Sequence, residues 1–208
     1  MRLVVAGATG RTGLRVLDAA LARGLDILAL VREPARLEGR RVEAAVGDVR
    51  DGAFLARVLR AGDVAVSALG SARDDASGDA VALGTAQLVA ALEAAGAPRV
   101  LGVVGAGILL DEHGVPRHAL RDYPPQFRRI GAQHQAALDA CERSTLSWVM
   151  VGCPRIVDAD ATGRLHVLPD RLPPGLGQVT TGDLAELLVR EAVAPTVARR
   201  RLGVNQAA

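Results

Sequence analysis

The sequence contains no lysine, since all 25 basic residues among its 208 are arginines. This absence excludes mechanisms that need a lysine, either to form a Schiff base or to lower the pKa of a neighbouring group. Only two cysteines are present, Cys141 and Cys153, and they have neither metal-ligand spacing nor the number that a disulfide framework needs. We therefore expect two free thiols in a reducing cytoplasm, and no metal site.

Other classes of protein are excluded by features that the chain has in small measure. No apolar stretch approaches the roughly 20 residues that span a bilayer. The N-terminus has one arginine before a strand-like run, which does not suit a signal peptide. The net charge of +2 gives no support for nucleic-acid or membrane partners. Half of the residues are hydrophobic, so a chain of this length can fill one core.

Short apolar runs alternate with stretches of helical periodicity along the whole chain. Strands are predicted at Arg2–Ala6, Asp26–Val31, Val42–Val46, Val64–Ala68, Val100–Val104 and Ser147–Val151. Helices are predicted at Thr12–Arg23, Asp51–Arg60, Asp79–Ala95, Gln126–Arg143 and Thr181–Ala192. Strand–helix alternation with continuously apolar strands is typical of a parallel sheet that is covered on both faces. The pattern predicts an α/β fold, a Rossmann-type doubly wound parallel sheet in a single domain over residues 1–208.

Two long irregular segments interrupt this pattern, near residues 105–125 and 154–177. A short strand is predicted within the second segment, at Arg164–Leu168. Both segments leave the carboxyl ends of strands, which is the edge where open α/β sheets bind ligands. Because long irregular segments in compact domains are usually functional, we expect lid loops over a site at this edge.

Three glycines at three-residue spacing, Gly7, Gly10 and Gly13, follow the first strand and open the first helix. In dinucleotide-binding loops the first glycine permits a tight turn, the next lets the backbone approach a pyrophosphate, and the last allows close helix–strand packing. The helix N-terminus adds free N–H groups and the positive end of a dipole. A purely structural turn is the alternative, but the strand–turn–helix context favours nucleotide binding.

The choice of nucleotide depends on the residues after the second strand, about 20 positions further on, where NAD binders carry an acidic residue for the ribose hydroxyls. Here Arg32 and Arg36 follow the strand, and a guanidinium can hold a 2′-phosphate through two hydrogen bonds. Glu33 could reach a ribose hydroxyl instead, and the two arginines could be solvated surface residues. We predict NADP(H) as the cofactor in preference to NAD(H).

Two further stretches follow the third and fourth strands. In the first, Asp48 can accept a hydrogen bond from an adenine amino group, with Val49 against the ring. The alternative is that Asp48 caps the next helix. In the second, Gly70 leaves room for a dinucleotide backbone, and a plain turn is the alternative.

Taken together, these motifs resemble the atypical short-chain dehydrogenase/reductases of the NmrA-like group, and within it the biliverdin-IXβ reductase (flavin reductase) type. The matching stretches, in chain order, are GATGRTGL, VREPARL, GDV, ALGSARDD, GILLDEHGVP and LSWVMVGCPRI. The resemblance implies a monomeric or weakly associated NADPH-binding Rossmann domain. It also implies roles for Gly7, Thr9, Gly10, Arg11 and Thr12 at the pyrophosphate, Arg32 and Arg36 at the 2′-phosphate, Asp48 and Val49 at the adenine, and Leu69, Gly70 and Arg73 at the central part of the cofactor.

The residues for chemistry depart from that family's pattern. The classical superfamily uses a Tyr-x-x-x-Lys pair, whereas the single tyrosine here, Tyr123, has Phe127 four positions on. Related reductases carry a serine after the fifth strand and a histidine after the sixth, and the matching positions here are Gly105 and Arg155. Cys153, close to Arg155, is either an accessible thiolate or a core residue.

Hydride transfer to a conjugated acceptor mainly requires that the two carbons be close and aligned, and solvent can deliver the proton. Arg155 could stabilise developing negative charge without titrating. Tyr123, His113 and His118 could lie over the nicotinamide end, and His134 could replace the family's lysine. The alternatives are solvated loop histidines and a tyrosine that only packs the loop.

We therefore predict an NADPH-dependent oxidoreductase that transfers hydride to a planar conjugated small molecule, such as a flavin, a quinone, a tetrapyrrole or a specialised metabolite. The predicted catalytic residues are Arg155, Tyr123 and His134. Two alternatives remain open. The absence of serine, tyrosine and lysine from the chemical positions motivates an NADP(H)-sensing regulatory protein of the NmrA kind, and the fold also permits a redox-neutral isomerase or cyclase that holds NADP structurally.

Overall fold

The computed structural model describes residues 1–70, 79–195 and 198–208, which contain ten strands and five α-helices. The strands are β1 (Arg2–Ala6), β2 (Asp26–Val31), β3 (Glu43–Val46), β4 (Val64–Ser67), β5 (Arg99–Gly105), β6 (Ser147–Cys153), β7 (Arg155–Val157), β8 (Leu165–Pro169), β9 (Gln178–Thr180) and β10 (Arg199–Gln206). The helices are α1 (Arg11–Leu21), α2 (Gly52–Val58), α3 (Ala80–Ala94), α4 (Arg128–Arg143) and α5 (Thr181–Val193). None of the helices in these ranges combines the length and the apolarity that crossing a membrane requires.

Eight of the strands form one sheet in the order β3-β2-β1-β4-β5-β6-β10-β8. Neighbouring strands are parallel throughout, except that β8 runs antiparallel to β10. The chain builds outward from β1 in both directions, so the sheet is doubly wound. The predicted α/β Rossmann-type single domain is thereby confirmed, with one antiparallel strand at its edge. Strands β7 and β9 pair in a separate parallel ribbon.

The predicted strands and helices are all present, and their ends differ from the predicted ones by no more than two residues. The sequence analysis missed β7, β9 and β10. Strand β10 begins with three arginines, so it does not read as an apolar run, although Leu202 and Val204 are buried. The polar start is tolerated because the Arg199 guanidinium donates hydrogen bonds to the carbonyl oxygens of Ser144 and Leu146, each at 2.7 Å.

Two hydrophobic layers cover the sheet, one on each face. Helices α1 and α5 cover one face, where Leu17 and Leu184 are fully buried. Helices α2, α3 and α4 cover the other, where Leu88 and Leu138 are fully buried. Strands that are buried on both faces need apolar side chains at nearly every position, which explains the continuous apolar runs. The edge strands β3 and β8 are exceptions, because most of their residues are exposed.

The site follows from the reversal of strand order beside β1. Strands β1 and β4 are neighbours in the sheet, but α1 follows β1 on one face and α3 follows β4 on the other. The chain therefore diverges at the carboxyl ends of these strands and leaves a crevice there. In open α/β sheets, ligands bind at such a switch point.

Candidate functional site

A tight glycine turn joins β1 to α1 at the crevice. Gly7 has a φ of 74°, in the left-handed region, and a Cβ at this position would lie 2.6 Å from the carbonyl oxygen of Ala68. Gly10 closes the turn by donating its N–H to the carbonyl oxygen of Gly7 at 3.0 Å. Only glycine suits the first of these positions, because any side chain would collide with the backbone that follows β4.

The N-terminus of α1 is open toward the crevice. Gly10 is the residue before the helix, and no side chain in the described part of the protein caps the first turn. That turn also contains no acidic residue. The N–H groups of a helix start are ready donors, and the helix dipole adds positive potential there. The arrangement therefore fits an anionic group such as a pyrophosphate.

A cleft of about 970 Å³ extends from this turn along the sheet edge. Eleven of the predicted cofactor residues line it, namely Gly7, Thr9, Gly10, Arg11, Thr12, Arg32, Arg36, Asp48, Val49, Leu69 and Gly70. Such a volume is within the usual range for a pocket that holds a cofactor. Residues that are spread over the first 70 positions of the chain thus meet at one elongated site.

The two remaining predicted cofactor residues are Gly13 and Arg73. Gly13 packs behind the turn, where a Cβ would collide with the carbonyl oxygen of Gly7 and the backbone of Ala8. Its role is the close packing of helix on strand, as the loop pattern predicts for the last glycine. Arg73 lies outside the described residues.

Several cleft residues were not predicted from the sequence, although a sequence pattern indicates some of them. On α1, Leu14, Arg15 and Asp18 also line the cleft. They follow Arg11 at helical spacing, so they share its face. From the far end of the chain come Ile156 and Asp158. No local pattern connects those two residues to the glycine turn, because only the folded sheet brings them together.

The arginines that follow β2 and line the cleft differ in how closely a carboxylate binds each guanidinium group. Arg32 and Arg36 are exposed, and Arg36 Nη1 lies 4.0 Å from an oxygen of Glu33. Arg40, in contrast, donates to both carboxylate oxygens of Asp18 at 2.7 and 2.9 Å, and these bonds raise its pKa further above its usual value. Arg32 and Arg36 are therefore the more available partners for a phosphate.

The carboxylate of Asp48 is held by Arg50. Its oxygens accept hydrogen bonds from the Arg50 backbone N–H at 2.9 Å and from Arg50 Nη2 at 2.7 Å, and these bonds lower the pKa of Asp48. Arg50 Nε also lies 3.1 and 3.3 Å from the two oxygens, so an adenine amino group would have to replace or share one of the bonds that Arg50 makes. The alternative role of Asp48 as a helix cap is wrong, because Asp51 caps α2 by accepting from the N–H groups of Ala53 and Phe54.

At the end of β5, Gly105 contacts His134 of α4. The backbone N–H of Gly105 donates to His134 Nδ1 at 2.9 Å. Burial lowers the pKa of the imidazole from 6.5 to about 4, so the ring is neutral near pH 7. Because Nδ1 accepts, the single ring proton is on Nε2. Sequence reasoning proposed His134 as a stand-in for a lysine, but it did not foresee this bond or the neutral state.

Tyr123 lies in the 105–125 segment, away from the residues that line the cleft. Its hydroxyl occupies space left by Gly107, where a Cβ would come within 2.8 Å of Oη, and its ring borders Gly131 of α4. Burial raises the pKa of Tyr123. Beside it, His118 Nδ1 lies 3.1 Å from the carbonyl oxygen of Gly107, whereas His113 is exposed. These contacts favour the packing role for Tyr123.

Arg155 is exposed at the start of β7 and does not line the cleft. The next residue, Ile156, does line it. Because successive side chains of a strand point to opposite sides, Arg155 is directed away from the cleft. Its predicted catalytic role has no support from this placement. Cys153 is a core residue, since it is buried, its thiol donates to the carbonyl oxygen of Val104, and burial raises its pKa to about 12.

The two irregular segments, 105–125 and 154–177, lie at the carboxyl edge of the sheet and are bonded to each other and to the core. The N–H of Leu110 donates to the carbonyl oxygen of Asp170 at 2.8 Å. One turn of the second segment donates three hydrogen bonds to the buried carboxylate of Asp183. Movement of these segments as lids stays a prediction.

Comparison with known proteins agrees with this site. A model of the NAD(P)H-binding family matches residues 7–195. Similar solved structures include a protein from Burkholderia pseudomallei, with 28% identity, a TM-score of 0.84 and full coverage of both chains. ChuY, an anaerobilin reductase from Escherichia coli O157:H7, has 20% identity and a TM-score of 0.83, with 99% of this chain and 97% of that chain covered.

A third structure is a candidate NADH-flavin reductase from Streptococcus pneumoniae TIGR4, with 22% identity, a TM-score of 0.80 and 99% of each chain covered. The two reductases are less than 25% identical to this chain, so their likeness shows the fold alone. The family model covers most of the chain, from the glycine turn after β1 to the end of α5. The protein belongs to the NAD(P)H-binding family.

Proposed function

We propose that the protein is an NADPH-dependent reductase of planar conjugated small molecules, such as flavins, quinones, tetrapyrroles or specialised metabolites. The observation that carries the proposal is the cleft itself, in which an uncapped helix start and two exposed arginines face the same elongated space. A dinucleotide with a phosphate at its centre and another at its ribose matches that distribution of positive potential.

The residues of the cleft divide among the parts of the cofactor. The backbone of the turn from Gly7 to Thr12 holds the pyrophosphate, and Arg11 adds charge beside it. Arg32 and Arg36 hold the 2′-phosphate, which supports NADP(H) in preference to NAD(H). For the adenine we assign Asp48 and Val49, and for the central part Leu69 and Gly70.

NADPH held by these residues would supply the hydride for reduction of a conjugated acceptor, and water would supply the proton. The contribution of the chain is to hold the acceptor close and in register, which is the larger part of catalysis for such a transfer. His134 holds its proton at Nε2 and offers a hydrogen bond rather than an acid. The chain has no lysine, and its single tyrosine, Tyr123, has Phe127 four positions on, where the classical pair has lysine. We therefore do not assign a protein group as the proton donor.

The names of two structural relatives, an anaerobilin reductase and a candidate NADH-flavin reductase, support the choice of acceptor class. Both acceptors are planar and conjugated. We also expect a cytoplasmic protein that acts as a monomer or weak homodimer, without nucleic-acid or membrane partners.

The proposal is tested by incubating the purified protein with NADPH or NADH and a panel of flavins, quinones and linear tetrapyrroles, following the loss of reduced-nicotinamide absorbance. We expect turnover of at least one planar acceptor and a preference for NADPH. Tight NADPH binding without turnover of any acceptor would contradict a reductase and favour an NADP(H)-sensing protein. Substitution of Arg57, an exposed arginine of α2 outside the cleft, provides the matched control variant.

A further inference from the structure

Gly105 stands at the cleft end of β5. Val103, two positions earlier in the same strand, lines the cleft. Gly105 does not itself line the cleft, but it lies two positions further toward the carboxyl end of the strand that brings Val103 to the cleft. The atoms that a Cβ would meet there belong to the imidazole of His134, which places that ring at the same end of β5.

The lack of a side chain at Gly105 is a requirement for space and not for backbone freedom. Its φ of −75° and ψ of 155° are extended values that any residue adopts. A Cβ, however, would lie 2.8 Å from His134 Nδ1 and 3.0 Å from Cε1. These distances are shorter than ordinary van der Waals contact, so an alanine or serine here would displace the ring.

The same residue also fixes the protonation of the ring. The N–H of Gly105 donates to Nδ1, which leaves Nε2 as a donor. Around this pair, His118 and Tyr123 pack against Gly131 one turn earlier in α4, and Cys153 pairs with Gly105 across the sheet. Burial lowers the pKa of His134.

We propose that Gly105 and His134 act as one unit in which Gly105 is the positioning residue and His134 Nε2–H is a fixed, neutral hydrogen-bond donor to the substrate. The donor would contact the oxygen or nitrogen of the acceptor on which negative charge develops, in the manner of an oxyanion hole. This inference rests on the proposed reductase function, and it narrows the class of acceptor that the protein should reduce. A donor that keeps its proton suits flavins and quinones, whose reduced anions are stable enough to be protonated by water. It does not suit isolated ketones or aldehydes, which need an acid.

The state of the ring can be measured without any turnover. In ¹⁵N-labelled protein, long-range ¹H–¹⁵N spectra should show His134 as the neutral Nε2–H tautomer from about pH 5.5 to 8.5, given the usual histidine pKa near 6.5. Loss of the signal in H134Q assigns it. An imidazolium that titrates near pH 6.5, or an Nδ1–H tautomer, would overturn the proposal.

The steric part is tested by a double-mutant cycle on Tm. We expect G105A to lower Tm in the wild-type background and to have a much smaller effect in an H134A background, since the colliding ring is then absent. Equal effects in both backgrounds would show that Gly105 does not act through His134.

The role toward the substrate is tested with a flavin or quinone and NADPH. Loss of one oxyanion-type donor costs about 10²-fold in kcat, which is the expected effect of H134L, with little change in KM. H134Q, whose amide can both accept from Gly105 and donate, should recover at least about tenfold of that loss. R57A, at an exposed position of α2 outside the cleft, is the control and should behave as wild type.

The outcomes separate the two proposals. If the wild-type protein turns over an acceptor but H134L retains its full kcat, the role of His134 is wrong and the reductase function stands. If the wild-type protein reduces no acceptor, the reductase function fails and the substrate role of His134 fails with it. Reduction of simple ketones at rates similar to those of flavins would overturn the narrowed substrate class.

Discussion

At the ends of β1 and β2 the protein presents open positive charge, whereas at the end of β5 it presents a neutral, enclosed ring. The first region, here called the cofactor half, comprises the cleft residues from 7 to 70, with an uncapped helix start and two exposed arginines. The second, here called the substrate half after the role proposed for His134, comprises the segments 105–125 and 154–177 with His134. The cofactor half relies on long-range electrostatic attraction, and the substrate half on close packing around one hydrogen bond.

This difference has a consequence for how each half tolerates change. Phosphates are bound by many backbone N–H groups and mobile guanidinium groups, so single side-chain changes should weaken binding by graded amounts. In the substrate half, the imidazole of His134 occupies the space that a side chain of Gly105 would need. No second group among the described residues shares its role there, so binding has no such redundancy.

The largest effect is expected for G13A, because Gly13 packs closely against the glycine turn of the cofactor half. The added methyl group would meet the backbone of Gly7 and Ala8, which cannot move aside as a flexible side chain can. We expect a loss of about 3 kcal/mol in the free energy of unfolding, at the upper end for overpacking. Urea denaturation measures it. The control is G24A, at a left-handed position with open space around it, which should cost about 1–2 kcal/mol from backbone strain alone.

The next effect is a pH dependence of stability that comes from His134. Its pKa in the folded protein is about 4, below the unfolded value of 6.5, so the unfolded chain binds the proton more readily. The stabilisation by the neutral ring is therefore complete above pH 6.5 and is lost as the pH falls from 6.5 toward 4. The loss should amount to about 2 kcal/mol, after allowance for the part of the ring that solvent reaches.

The measurement compares urea unfolding of wild type and H134Q at several pH values between 4.5 and 7.5. The carboxylates whose pKa is lowered, such as Asp48 and Glu93, also lose stabilisation in acid, but they contribute equally to both proteins. The difference between the two curves isolates the histidine. Parallel curves would mean that the ring is not held neutral by the fold.

A smaller effect is expected for R32A in the cofactor half. Loss of one charged hydrogen-bonding partner for the 2′-phosphate should weaken NADPH binding by about tenfold and leave NADH binding nearly unchanged. Calorimetric titration with both cofactors measures the ratio. Equal losses for NADPH and NADH would place Arg32 at a part that the two share. The control variant R57A should bind both cofactors as wild type does.

The smallest effect is expected for R155A. The side chain is exposed and directed away from the cleft, so its loss should change kcat and KM by less than about twofold, as surface substitutions usually do. Steady-state kinetics with the acceptor identified from the panel provides the measurement. A fall of tenfold or more in kcat would restore Arg155 as a catalytic residue.

The sequence predicts the two halves unequally, and the reason is physical. Gly7, Arg32 and Asp48 each follow a predicted strand, so their meeting at one edge follows from parallel topology alone. Even the unforeseen Arg15 and Asp18 could have been found from the helical repeat of α1. Local pattern was enough because the cofactor half is built from successive strand ends.

The substrate half depends on contacts between distant parts of the chain. The direction of Arg155 is set by the pairing of β7 with β9, which begins at Gln178. The protonation of His134 is set by a backbone N–H that lies 29 positions earlier. The local indication of this contact in the sequence is Gly105, a glycine at the end of a strand. Its extended backbone does not require glycine, so the residue is needed for the space that it leaves to His134.

The two edges of the sheet also bear on how copies of this protein can meet. One edge is β3, which has only four residues, and the other is β8, which ends at Pro169. Short edge strands and prolines, which have no N–H to donate, both hinder the addition of a strand from a second molecule. Growth of a continuous intermolecular sheet is thereby disfavoured. Any self-association in solution should use helix or loop surfaces instead, and leave the backbone edges unpaired.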